Sequence, residues 1–215
     1  MTTRQRAYEI AHVDELDAIP VSHGLVWRPI RRRFDVRAFG VNAYTSEEVG
    51  EQVVEEHTEG QLGHEEIYLV LRGSATFTLD GEDVELGAGE LVHIPDPETR
   101  RVALSREAGT TVLALGGKPG EPFEVSAWET MFAALPARRR GDFAESIRLH
   151  EEALAERPDQ PALLYNLACE EALGGRRLDA ILHLQRAIEL RPEYREAALG
   201  DSDFDPIRRE PGFPA

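Results

Sequence analysis

The sequence predicts a closed or sandwiched β fold followed by an α-helical repeat. Three observations carry this. Hydrophobic periodicity is mostly two before about residue 125 and three to four after it. Turn residues cut the first half into short, regularly spaced segments. The second half repeats itself at a fixed offset of 34 residues. A length of 215 residues allows one large domain or two small ones. The breaker cluster Gly116-Gly117-Lys118-Pro119-Gly120-Glu121-Pro122 favours two, over residues 1–120 and 121–215.

In the first half the predicted strands are Leu25–Ile30, Ala38–Thr45, Gly50–Glu56, Glu65–Arg72, Ser74–Leu79, Asp83–Leu86, Glu90–Pro95, Arg101–Leu104 and Thr110–Leu115. Asp80-Gly81 is a two-residue hairpin turn, because both positions tolerate a positive φ. Gly87-Ala88-Gly89 and Asp96-Pro97 mark two more turns. Closing or stacking such strands removes the exposed edges that would template aggregation.

In the second half Gly141–Ile147 is echoed by Gly175–Ile181, Ala153 by Ala187 and Pro158 by Pro192, each 34 residues on. Small alanines at the contacts let antiparallel helices approach closely. Ser126–Arg139 is the expected first helix, with Pro136 predicted to end or kink it. Asp159 and Pro161 open a later helix, Gly174-Gly175 stop it, and Glu193–Leu199 is a capping helix. Phe204, Ile207 and Phe213 in the Pro-rich tail are expected to dock back on the helices. The pattern resembles the tetratricopeptide repeat, about two and a half units of it. Since three are usually needed for stability, the helices are expected to pack on the β half or on a partner chain.

Composition removes whole classes of function. The formal net charge is −16, so nothing would neutralise a nucleic-acid backbone or an anionic lipid surface. The one cysteine, Cys169, excludes a disulfide framework and reads as a small buried residue. Apolar runs are too short to span a membrane, and Met1–Asp17 is charged throughout with no apolar signal-peptide core, so a cytoplasmic protein is expected. The dense basic patch Arg31-Arg32-Arg33, with Arg28 and Arg37, reads as a salt-bridged face.

Gly60–Gly73, ending Glu66-Ile67-Tyr68-Leu69-Val70-Leu71-Arg72-Gly73, resembles the first motif of the cupin superfamily, and Gly89 with Pro95 resembles the second. The likeness covers roughly residues 35–117. It implies a jelly-roll β-barrel, often dimeric, with a site inside. The family's usual metal site has three histidines and a glutamate. Of these only Glu66 matches; the histidine positions hold Gly60, Leu62 and Arg100.

Strand alternation turns His64 and Tyr68 to the same side as Glu66. Arg100 stands where the third histidine would face the cavity, and a guanidinium cannot ligate a cation but can pair with a carboxylate. The expectation is therefore an internal Arg100–Glu66 pair in place of a metal, with His64, Glu66, Tyr68 and Arg100 contacting a polar or acidic small molecule. A second reading keeps a metal (Fe, Mn, Ni, Cu or Zn) on a displaced set, His57, His64, Glu66 and His93, in an enzyme of dioxygenase or isomerase type. A third makes the barrel a dimerising scaffold and the helical repeats a surface for a protein partner.

Overall fold

The computed structural model describes residues 9–22 and 24–214. Residues 1–8 of the charged stretch Met1–Asp17 lie outside this range. The chain divides into two compact units, Met1–Glu124 and Val125–Ala215. Among the described residues no helix is long and apolar enough to cross a membrane.

The first unit is built from strands β1 (Ile19–Ser22), β2 (Leu25–Arg28), β3 (Gly40–Ser46), β4 (Gln52–His57), β5 (Glu65–Arg72), β6 (Ser74–Leu79), β7 (Glu82–Gly87), β8 (Leu91–Ile94), β9 (Arg101–Ser105) and β10 (Thr110–Gly117), with a short helix α1 (Ile30–Phe34) after β2. They form two antiparallel sheets, in the orders β1-β2-β3-β10-β5-β8 and β4-β9-β6-β7. Asp80 and Gly81 join β6 to β7 with φ of 49° and 89°, the left-handed pair that a two-residue hairpin needs. The sequence reading did not include β1 or α1. In the basic run, Arg31 donates to the Val36 carbonyl and Arg33 pairs with Glu9, so it is a bonded face.

The inner faces of the sheets meet in a core of Val53, Val54, Tyr68, Val70, Ala75, Phe77, Ile94, Ala103 and Val112. Strand alternation decides which side chains join it. On β9 the inward positions are Arg101, Ala103 and Ser105, while Leu104 is 42% exposed. On β8 they are Val92 and Ile94, so His93 and Leu91 face out. On β5 they are Glu66, Tyr68 and Val70, so Glu65 and Ile67 face out.

The second unit comprises α2 (Ala127–Arg139), α3 (Phe143–Glu156), α4 (Pro161–Leu173), α5 (Arg177–Leu190) and α6 (Tyr194–Gly200). The bounds of α2 and α3 recur in α4 and α5 at the 34-residue offset. Asp142 caps α3 through the Glu145 N–H, and Gln160 caps α4 through the Leu163 N–H, with Pro161 in the first turn. Pro136 does not end α2: the helix runs on to Arg139.

The tail docks as expected. Phe204 and Ile207 are fully buried among Ala168, Cys169, Ile181 and Leu184. Phe204 meets Tyr165 edge to face at 5.4 Å. Arg138 on α2 grips Asp203 with both carboxylate oxygens at 2.6 and 2.7 Å and also holds Glu170 at 2.8 Å. Each large side chain so buried stabilises by about 1.5–3 kcal/mol.

Candidate functional site

One end of the sandwich interior is polar. The pairing register explains which groups meet there. His57 and Arg101 are cross-strand partners on β4 and β9. From the facing sheet β5 presents Glu66 and Tyr68, and β10 lies opposite them with Gly116 and Ala114. A Cβ at position 116 would come within 2.9 Å of Glu66 Cγ, so glycine there makes room for the carboxylate side chain.

Glu66 Oε2 is the focus. Arg101 Nη1 donates to it at 2.6 Å and the Tyr68 hydroxyl at 2.5 Å. The Arg101 side chain is 0% exposed and that of Glu66 12%. The rest of the guanidinium is also satisfied: Nε and Nη2 donate to the Thr99 carbonyl, and Nη2 reaches that of Pro97. Burial alone would raise the Glu66 pKa, but His57, Tyr68 and Arg101 outweigh it and hold the carboxyl below its ordinary 4.5. Burial, and the charge of Glu66, push the Tyr68 hydroxyl far up, so it stays a donor.

The expected partner of Glu66 was Arg100, and this is corrected by one residue. Arg100 lies just before β9 and its Nε donates to Glu56 at 2.7 Å on the exposed outer face. A one-residue offset on a strand reverses the side-chain direction. Motif spacing put position 100 at the cavity; on β9 the inward positions are the odd ones.

His57 sits beside this pair. Its Nδ1 lies 2.7 Å from the Glu55 carbonyl, which can only accept, so Nδ1 carries a proton. Its Nε2 then faces Glu59 Oε1 at 3.5 Å, Glu66 Oε2 at 3.8 Å and the Tyr68 oxygen at 3.5 Å. A lone pair is unfavourable among these oxygens and an N–H is favourable. Burial lowers the His57 pKa, but Glu66, the Glu55 carbonyl and Glu59 together raise it above 6.5. A folded value above the unfolded one gives a stabilisation that is complete below pH 6.5 and lost as pH rises through the folded value. Hydrogen-exchange protection of β4 and β9 is therefore expected to fall across that window, and His57→Gln to flatten the fall. A titration of the His57 ring by NMR at or below the ordinary histidine value would contradict this.

Glu59 was not singled out in the sequence. Its carboxylate lies between His57 and His64, with His64 Nδ1 3.2 Å from Oε2. Its backbone N–H donates to Pro97, tying its loop to the turn before β9. Nothing but its place in an acidic loop marked it. His64 is half-buried and its ring tilts against Phe123 at 5.8 Å. His93 does not join the cluster: it is 50% exposed on the outer face, 3.7 Å from Glu65.

The displaced metal set is thus not assembled. His57, Glu59 and Glu66 do offer three ligand atoms within 4.8 Å of one another. Of the Glu66 oxygens, Oε2 already takes two donors, one of them the permanent cation of Arg101. A second group, Cys169 with Asp201 and Asp203, is clasped by Tyr165 and Arg138, and burial pushes the thiol pKa up, so it holds its proton.

Residues 45–116, from the end of β3 to β10, match the family model of the Cupin domain. No curated protein matches the chain. Among solved structures, KdgF from Halomonas sp. is 20% identical over 52% of this chain and 92% of its own, with a TM-score of 0.43. A cupin-superfamily sugar phosphate isomerase from Silicibacter pomeroyi is 16% identical over 51% and 76%, with a TM-score of 0.43. A Streptomyces cupin-like neighbour, PAC13 with uridine, is 20% identical over 53% and 84%, with a TM-score of 0.40.

Proposed function

We propose that the cupin domain is a metal-independent binding domain for a small molecule, with the helical unit serving as an interaction module. The observation that carries this is the buried guanidinium of Arg101, 2.6 Å from Glu66 Oε2. It supplies at the site the positive charge that a divalent ion supplies elsewhere in the superfamily. Tyr68 and Arg101 act as positioning residues for Glu66, and His57 is the group of the cluster that remains partly open, its side chain 32% exposed. Glu59 and His64 hold the loop that frames it.

Elemental analysis of protein purified without chelator tests the metal-free reading. The expected content of iron, manganese, nickel, copper and zinc is far below one equivalent per chain. A stoichiometric ion that is lost on His57→Ala would make the alternative, a metal-dependent enzyme, the better reading. For the helical unit, the recurrence at 34 residues, like that of tetratricopeptide arrays, supports a protein partner or a second copy of the chain as its target.

A further inference from the structure

A cavity of about 330 Å³ opens on the outer side of the larger sheet, at the ends of β5, β8 and β10. Its walls are Phe39, Ile67 and Leu115, and its base is the bare backbone of Gly116 and Gly117. Phe39 and Ile67 are large apolar side chains 44% and 39% exposed. Glu66 is among the residues that line it, but its carboxylate turns to the inner face, onto Arg101 and Tyr68.

The charges around it are uneven. Glu66 is answered by Arg101. Lys118 is tied to Glu121 at 2.8 Å. Among the described residues, Glu65 on the rim is paired with the imidazole of His93 at 3.7 Å, which is a cation only when protonated. Among the described residues this carboxylate is therefore left without a fixed countercharge, beside apolar walls.

We infer that this cavity takes a small organic amine with an apolar or aromatic body, its ammonium on Glu65 and its body on Ile67, Leu115 and Phe39. The inference rests on the metal-free reading of Glu66 and adds the class of ligand. A ligand carboxylate would meet Glu65 at close range; an ammonium meets the charge the cavity lacks.

Calorimetric titration with three matched probes tests it: 2-phenylethylamine, 2-phenylethanol and phenylacetate. The amine is expected to bind at least about tenfold more tightly than the alcohol, and the acid to bind weakest. Glu65→Gln, an exposed substitution that should fold, is expected to remove most of the amine's advantage and leave the alcohol unchanged. Ile67→Glu should abolish binding of the alcohol. Absence of binding by all three, an acid that matches the amine, or an amine affinity untouched by Glu65→Gln would overturn the inference. Metal analysis of the same sample separates the two failures: a metal-free protein that prefers the acid refutes the ligand class alone, and a stoichiometric ion refutes the reading beneath it.

Discussion

Arg101→Ala is expected to destabilise the β-sheet unit by about 3–5 kcal/mol, the cost of leaving a buried charge without its partner. Arg100→Ala, one residue away, is expected to change stability by less than about 1 kcal/mol, as exposed ion pairs do. The contrast follows from orientation. The Arg101 side chain is wholly buried and its donors reach Glu66, Thr99 and Pro97. That of Arg100 is 67% exposed on Glu56. Lysine is not expected to rescue Arg101, because one ammonium cannot span a carboxylate and two carbonyls held by a planar fork. Denaturant unfolding gives the magnitudes, and hydrogen exchange along β4 and β9 shows whether the loss is local. Equal effects at the two positions would contradict the register described here.

Phe204→Ala is expected to cost about 3–5 kcal/mol in the helical unit, the range for removing a fully buried aromatic ring. Phe204 is 0% exposed and packs on Tyr165 and Phe213. Two helical hairpins bury too little surface to be stable without a cap, and the tail supplies one through Phe204, Ile207 and the Arg138–Asp203 clasp. The loss should appear as faster hydrogen exchange in α4 and α5. Unchanged protection there would mean that the tail is an appendage. Because the chain has two compact units, segment-resolved exchange is the proper readout, since a single melting curve assumes one transition.

Much of this architecture was legible because local signals agreed with the fold. β5 and β6 have the predicted bounds, set by apolar alternation and by the Gly73 break between them. The Asp80-Gly81 turn and the 34-residue recurrence are local chemistry and a count. The site was less legible, because its direction depends on long-range register. Val102 and Leu104 carry the apolar side chains on β9, yet the inward positions hold Arg101, Ala103 and Ser105. Motif spacing aligned Arg100 with the family's third histidine, and a one-residue offset on the strand was enough to miss Arg101. His93 failed for a similar reason, since Val92 and Ile94 fill the inner face of β8 and leave it outside. Glu59 could not be found from spacing, because it enters the cluster from a loop whose path is set by a backbone bond to Pro97.

A double-mutant cycle with Arg101→Met and Glu66→Gln tests the replacement of an ion by a guanidinium most directly. Either single change strands a buried polar or charged partner, while the pair removes both. The expected coupling energy is about 2–3 kcal/mol, with the double variant more stable than the sum of the singles predicts. Effects that add to within about 0.5 kcal/mol would show that the two groups do not balance each other, and would contradict the account.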